Sequence, residues 1–277
     1  MLRARMRPYV YILPALIVIC VFGLLSMGIS LWVSFTRFDL VAGSRGFVGL
    51  ENYREALSGQ DSFFRTAFLN TFYYTVLSVP ATLVVSLLLA LMAHQVRRGQ
   101  AVFKTIYFLP TITPMVIVSL VWFQLFGVYG NPLGNVHWAM PALGLLGVWQ
   151  ACGYFMVIFL AALSDIPQDF YDAASIDGAN AWQQFRHVTL PLLRNTTAFV
   201  LVMLVIGAFQ VFVQIYVMTN GGPAGSTDVL AMAVFKEAFE GTGRTGYACA
   251  MAWLMFLCVA VFVAIQMRLT RSGRVYD

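Results

Sequence analysis

Charged side chains are scarce in this chain. Only 10% of its 277 residues are Asp, Glu, Lys or Arg, whereas 60% are hydrophobic, and the mean hydropathy is +0.78. A soluble domain carries far more charge, about 25% of its residues, and places almost all of it at the surface that meets water. The scarcity therefore excludes a soluble globular fold and indicates a protein whose surface faces lipid.

Residues that support metal or nucleotide chemistry are missing as well. The four cysteines lie singly in apolar runs and the three histidines are scattered, so no metal-ligand spacing is present. The two lysines, Lys104 and Lys236, do not belong to a Gly-rich loop ending in Gly-Lys-Ser/Thr, which is the sequence that holds phosphates. We therefore expect no metal site, no cofactor bound by this chain and no enzymatic activity of its own.

The chain does contain six long apolar runs. A helix needs about 20 residues to cross about 30 Å of hydrocarbon, and each run reaches that length. All twelve acids lie outside the runs, and the basic residues lie outside them or, for Arg268, at the end of one. Since backbone in lipid must satisfy its own hydrogen bonds, the runs are expected to be helices. We predict an all-α, polytopic membrane protein with one transmembrane domain over 1–277 and six spans at about 9–35, 68–93, 106–128, 141–163, 196–219 and 247–268.

The distribution of basic residues favours one orientation. With the N-terminus inside, the inner segments hold eleven of the seventeen Lys and Arg residues and the outer segments six. Cytoplasmic loops carry the excess of Lys and Arg, so both termini are expected in the cytoplasm. Because these charges are divided among separate loops, the net charge of +5 reflects topology and gives no support to a nucleic-acid partner.

The most polar stretch between two apolar runs is Gln168–Pro191. Ser164 or Asp165 is expected to cap a short first helix, with Pro167 at or near its first position. Gly178 is expected to end that helix, because glycine readily adopts the positive φ found there. A second short amphipathic helix follows. Such a pair is typical either of a surface presented to another protein or of a connector lying flat on the membrane.

The order of residues in this stretch resembles a known motif. It reads D-A-A-x3-G-x9-V-x-L-P from Asp172 to Pro191. This resembles the EAA loop of ABC importer permeases, E-A-A-x3-G-x9-I-x-L-P, with Asp172 in place of Glu and Val188 in place of Ile. The fuller stretch, and MTNGGP at Met218–Pro223, resemble the carbohydrate-uptake branch, similar to the maltose and glycerol-phosphate permease subunits. The resemblance covers about residues 8–270.

The resemblance implies a transmembrane subunit of an ATP-binding-cassette importer, forming half of the path for a carbohydrate or related polar solute. It implies a cytoplasmic EAA-type loop over 164–194 that couples the chain to ATPase subunits. It also implies a heterodimer with a second permease subunit, two ATP-binding subunits carrying ATP and Mg, an extracytoplasmic solute-binding protein, and a bacterial or archaeal cytoplasmic membrane. The coupling residues implied are Asp172, Ala173, Ala174, Gly178, Phe185, Leu190 and Pro191.

A self-sufficient secondary transporter of a neutral polar solute is the alternative. A proton- or ion-coupled transporter usually has an ionisable group near the middle of the membrane. The six runs contain no Asp, Glu, Lys or Arg away from their ends. This absence favours the importer without excluding sodium coordination by the backbone.

Four uncharged side chains in spans four and five are candidates for the substrate path. An amide in a span is costly unless it faces protein or a wet cavity, and helix–helix hydrogen bonding is the alternative use. The pair four residues apart in span five is expected on one helical face. A sugar presents hydroxyls and apolar ring faces, which suits amides beside an aromatic ring. The candidates are Gln150, Tyr154, Gln210 and Gln214.

Prolines and glycines predict local breaks. Pro110 and Pro114 predict a break at the start of span three, either as a static kink or as a moving hinge, and Pro80 predicts a kink in span two. Asn70 is expected to open span two. The stretch after Gly49 predicts a loop entering a short helix.

Overall fold

The computed structural model describes residues 11–40, 43–58, 62–96, 99–240 and 243–271, and the fold within these ranges is almost entirely helical. An antiparallel hairpin of β1 (Thr36–Asp39) and β2 (Gly43–Phe47) is the sheet that these residues form. The helices are α1 (Tyr11–Ser34), α2 (Glu51–Leu57), α3 (Ser62–Gln95), α4 (Gln100–Ile112), α5 (Met115–Val128), α6 (Ala139–Ser164), α7 (Gln168–Ile176), α8 (Ala181–Gln184), α9 (Leu190–Leu192), α10 (Arg194–Phe209), α11 (Val213–Met218), α12 (Leu230–Phe239) and α13 (Thr245–Arg271).

Helices long and apolar enough to cross a membrane account for most of the described chain. Five candidate spans lie at Tyr11–Ser34, Ser62–Gln95, Ala139–Ser164, Arg194–Met218 and Thr245–Leu269. A sixth is formed if α4 and α5, which meet at an angle of 95°, are taken together. The prediction of an all-α polytopic membrane protein is confirmed.

The third predicted span is bent. Thr113, between α4 and α5, has φ −77° and ψ 131°, which is extended backbone. The residue before a proline is pushed out of the helical region by the proline ring, so Pro114 accounts for the break. Pro110 lies inside α4 and does not end it. The break near Pro110 and Pro114 was predicted, and Pro114 is the residue that causes it.

The second span begins earlier than predicted and carries a row of buried hydroxyls. Helix α3 starts at Ser62, so Asn70 lies inside it instead of opening it. The Asn70 side chain donates to the carbonyl oxygens of Gly225 and Asp228, both at 2.9 Å. The buried hydroxyls each donate to the carbonyl four residues earlier, which satisfies them within the helix. They belong to Thr71, Thr75, Ser78, Thr82 and Ser86.

The chain divides into two compact units. The first comprises residues up to Arg65 together with Ala233–Met255. Within it, Arg244 contacts Glu55 at 2.6 Å and lies 4.2 Å from the centre of the Tyr247 ring. Partial burial alone would lower the pKa of Arg244, but the hydrogen bond and charge of Glu55 outweigh it and raise the pKa above its ordinary value. Arg244 therefore stays charged at every accessible pH.

The second unit comprises Thr66–Met232 and the residues from Phe256. Its centre is α6, where Leu143, Leu146, Met156 and Phe159 are completely buried. Helix α4 packs closely on α6 because Gly153 has no side chain, and a Cβ there would overlap the carbonyl oxygen of Tyr107.

Candidate docking segment and membrane cavity

We call Gln168–Pro191 the docking segment. Its first helix, α7, follows α6 after a short turn, and Pro167 occupies the capping position without a side-chain cap. One of Ser164 and Asp165 was expected to cap α7, but neither does. Ser164 still belongs to α6, and its hydroxyl donates to the Leu160 carbonyl at 2.9 Å. Residues 165–167 separate α6 from α7.

The end of α7 was predicted correctly. Gly178 has φ +77°, the left-handed conformation that glycine adopts at low cost. Its N–H donates to the Ser175 carbonyl at 3.1 Å, and the Ala179 N–H donates to the Ala174 carbonyl at 2.9 Å. These two bonds form the Schellman arrangement that closes a helix end. The turn directs the chain sharply into α8.

The second helix of the docking segment has a start signal that was missed. The Asn180 side chain accepts from the Gln183 N–H at 3.0 Å, and the Asn180 N–H donates to the Gln183 side chain at 2.8 Å. This is a capping box. A π-helical turn, Phe185–Thr189, then leads into α9 and Pro191. Pro191 lies in the first turn of α9, and α10 begins at Arg194 shortly after it.

Large apolar side chains of the docking segment are uncovered. Phe170 is 50% exposed, Ile176 is 87% exposed and Trp182 is 66% exposed. The rings of Trp182 and Phe185 lie side by side, with centres 5.5 Å apart. Apolar side chains grouped on a polar segment mark a contact surface for another protein or for a membrane. Such a surface suits both uses considered from the sequence, a contact with another protein and a connector lying on the membrane.

The predicted coupling residues are accessible. Asp172, Ala173, Gly178, Leu190 and Pro191 are exposed, whereas Ala174 and Phe185 are half-buried. The Asp172 carboxylate accepts one hydrogen bond at 3.2 Å from the Gln168 side chain, one turn earlier in α7. The carboxylate thus lies on the surface, oriented by a neutral partner, where a cation of another protein can reach it.

A cavity of about 340 Å³ lies within the second unit, among α3, α5, α6, α10 and α11. Its wall combines hydroxyls and amides with apolar groups and contains no Asp, Glu, Lys, Arg or His. We call it the membrane cavity. It is lined by Tyr74, Ser78, Val79, Thr82, Met115, Gly147, Gln150, Ala151, Phe155, Met203, Leu204, Gly207, Ala208, Gln210, Val211, Phe212, Val213 and Gln214.

The structure brings the three predicted glutamines together at this cavity. Gln210 and Gln214 were expected on one face of a continuous helix, but that helix is interrupted. Helix α10 ends at Phe209 and α11 begins at Val213, and Phe212 between them has φ −145° and ψ −61°. Gln210 caps the end of α10 and is exposed at the break, whereas Gln214 is buried.

Tyr74 is a cavity residue that the sequence did not reveal. The Gln214 side chain donates to the Tyr74 hydroxyl at 2.7 Å and approaches the Leu143 carbonyl at 3.3 Å. Gly147 makes room for this pair, because a Cβ there would overlap the Tyr74 hydroxyl. Tyr74 and Gln214 are 140 residues apart in the chain, so no local pattern joins them.

Tyr154, the predicted aromatic member, does not line this cavity. Its side chain is partly exposed, and its ring meets that of Phe155 edge-on, with centres 5.2 Å apart. Phe155 is the aromatic residue of α6 that lines the cavity. Within the described ranges, no group of three His, Cys, Asp or Glu side chains forms a metal site.

Comparison with known proteins identifies the family. Residues 83–274 match the model of the binding-protein-dependent transport system inner membrane component. The probable ABC transporter permease YesP of Bacillus subtilis is 35% identical over 93% of this chain and 88% of its own. The trehalose/maltose permease MalF of Thermococcus litoralis is 31% identical over 96% and 94%. The sn-glycerol-3-phosphate permease UgpA of Yersinia pestis is 33% identical over 94% and 92%.

The fold agrees with a solved transporter. A chain of the bacterial alginate ABC transporter, crystallised with an alginate pentasaccharide-bound periplasmic protein, superimposes with a TM-score of 0.83 at 24% identity over 98% of this chain and 96% of that one. The chain belongs to the family of binding-protein-dependent transport system inner membrane components. It is a multi-pass permease subunit of an ABC importer, as the EAA-type motif indicated.

Proposed function

We propose that this chain forms half of the translocation path of an importer for an uncharged carbohydrate, and that the docking segment couples it to the ATPase. The observation that supports coupling is the uncovered apolar surface of α7 and α8, built around the Gly178 turn. Two backbone hydrogen bonds close the turn between the two short helices, which suits it to transmitting a push.

The proposed assembly gives this chain four kinds of partner. A second, similar permease subunit completes the path in a heterodimer, and two ATP-binding subunits bind ATP and Mg. A solute-binding protein delivers the substrate from outside, and lipid surrounds the spans. Both termini and the docking segment lie in the cytoplasm, as the excess of basic residues in those segments supports.

The membrane cavity supports an uncharged substrate. The relatives are named for neutral and for charged solutes. MalF is named for trehalose and maltose, whereas UgpA is named for a phosphate ester. An anion bound away from water needs a cation or several donors to replace its hydration. The cavity offers hydroxyls, amides and the Phe155 ring, and no cation lines it. That combination fits a neutral sugar.

The test uses the importer reconstituted with its partner subunits and solute-binding protein, after a binding screen on the latter has identified the solute. Gln210→Ala and Tyr74→Phe should lower uptake several-fold while the binding protein keeps its affinity and the complex assembles. Ser86→Ala removes a buried hydroxyl from the same helix away from the cavity and should leave uptake unchanged.

Tyr154→Ala separates a cavity role from a supporting one. Because Tyr154 only backs Phe155, its truncation should reduce uptake less than Gln210→Ala does. If the Gln210 and Tyr74 variants assemble and transport at the parental rate over a range of substrate concentrations, these residues serve packing and the proposed path is wrong.

A further inference from the structure

A second polar cavity lies beneath the docking segment. It has a volume of about 520 Å³, the size of a site for a small organic ligand. We call it the inner groove. It is lined by Leu88, Leu91, His94 and Gln95 of α3, Leu163 of α6, Gln168 and Tyr171 of α7, and Ala181, Trp182, Gln184, Phe185 and Thr189 from the second half of the docking segment. The membrane cavity shares none of these residues.

The lining of the inner groove separates into an aromatic wall and a polar rim that includes His94. Tyr171, Trp182 and Phe185 supply the rings, and the rings of Trp182 and Phe185 lie with centres 5.5 Å apart and planes tilted by 34°. Amides and a hydroxyl supply donors and acceptors around them, and no Asp, Glu, Lys or Arg lines the groove. Aromatic faces pack on the apolar face of a sugar ring, while amides bond its hydroxyls.

The backbone at the groove is specially shaped. The π-helical turn runs from Phe185 to Thr189, and both of these residues line the groove. Short π-helical turns inside helices occur frequently at functional sites. The Tyr171 hydroxyl lies 3.1 Å from the Thr189 hydroxyl, which ties α7 to the far end of this turn. The wall is therefore held in place by bonds within the docking segment.

We propose that the inner groove is a second binding site, for a small uncharged sugar reaching it from the side of the membrane that the docking segment faces. The identity of the ligand rests on the proposed function, because the sugar that the importer delivers is the solute that accumulates on that side. A sugar bound in the groove would contact the inner end of α3 and both helices of the docking segment. Binding of delivered solute there would therefore change how the docking segment couples to the ATPase.

The test measures protection of a single cysteine in the purified permease in lipid nanodiscs. The four native cysteines are replaced, and Ala181→Cys places a small reporter in the groove. Its rate of reaction with a maleimide is measured with glucose, maltose or trehalose, and with glucuronate as the charged counterpart of glucose. At least one neutral sugar should slow labelling several-fold, and glucuronate should not.

Two matched variants assign the effect to the groove. Trp182→Ala and Gln95→Leu should each abolish protection, whereas Trp138→Ala, which removes a tryptophan with 64% exposure that lines neither cavity, should preserve it. A reporter at Ile176, 87% exposed and outside the groove, should not be protected.

Equal labelling rates with and without every sugar would overturn the proposal. If those equal rates are slow in nanodiscs and fast in detergent, lipid fills the groove instead. Because the permease alone is used, the result does not depend on the transport assay. Sugar uptake without protection rejects the second site only, and protection without uptake rejects the proposed function only.

Discussion

At the scale of the residue, the docking segment depends most on Gly178, because the turn there has a positive φ that a residue without a Cβ adopts at low cost. No atom lies within 4 Å of a Cβ built there, so a substitution meets no steric clash. Its cost comes from the backbone, because φ is +77° and a residue with a Cβ pays about 1–2 kcal/mol in that region.

We expect Gly178→Val to weaken association with the ATPase subunit by about 5- to 30-fold, which is the equivalent of 1–2 kcal/mol. Gly178→Asn should weaken it much less, because asparagine tolerates the left-handed region. Co-purification of the ATPase with each variant, at equal expression in the membrane, checks this order. Equal loss in both variants would show that the space around Gly178 matters and its backbone does not.

The sequence predicts residue roles unevenly. Gly178 and the helix end before it follow from local rules, and Asn180 with Gln183 fits a local rule that was overlooked. The bond between Gln214 and Tyr74 follows from packing of distant helices, and no spacing in the chain contains it. Tyr154 was chosen as the aromatic ring beside the amides, and the structure gives the cavity-facing place to its neighbour Phe155.

At the scale of the element, the helices were predicted well and their interruptions only in part. The bend between α4 and α5 follows from Pro114. The break between α10 and α11 contains Gln210, Val211 and Phe212, none of which is a glycine or a proline. No turn signal marks it, so the two glutamines were assigned to one continuous helix. Tertiary packing, which a local pattern does not record, decides where that helix stops.

The contact of α4 with α6 gives a prediction at this scale. In Gly153→Ala the new methyl group overlaps the Tyr107 carbonyl oxygen, a backbone atom that moves only if the helix moves. We expect the free energy of unfolding in detergent to fall by about 1–3 kcal/mol, the usual cost of overpacking. Denaturant titration of the purified protein measures it.

Gly127→Ala is the matched control for this variant. Gly127 lies in α5, and a Cβ there has no neighbour within 4 Å. This substitution should leave stability unchanged or raise it by up to about 1 kcal/mol, because alanine favours a helix. If the two variants lose stability equally, close approach of α4 and α6 at Gly153 does not contribute to the fold.

At the scale of the whole molecule, the spans were predicted from composition alone, and the orientation still depends on the distribution of Lys and Arg. In a variant without native cysteines, Gln183→Cys should react with a membrane-impermeant maleimide only from the cytoplasmic side. Ala224→Cys, at an exposed position of the loop after α11, should react only from outside. Both are tested in intact cells and in inverted vesicles. Reaction of the two cysteines from the same side would reject the proposed arrangement of spans.

Family membership makes this chain a permease subunit of an ABC importer, and we propose that another subunit supplies the energy. Within the spans of the described chain, no Asp or Glu side chain is available to carry a proton or bind an ion. A self-sufficient transporter would draw its energy from an ion gradient, whereas an ABC importer draws it from ATP. One measurement of the energy source separates the two.

That measurement is uptake of the identified sugar into proteoliposomes holding the complete complex, with ATP supplied to the ATPase subunits and solute-binding protein on the opposite side. The account predicts accumulation that requires ATP and all subunits, is unaffected by collapsing proton and sodium gradients, and falls in Gly178→Val in step with its loss of ATPase association. Accumulation by this chain alone, driven by an ion gradient and indifferent to ATP, would contradict it.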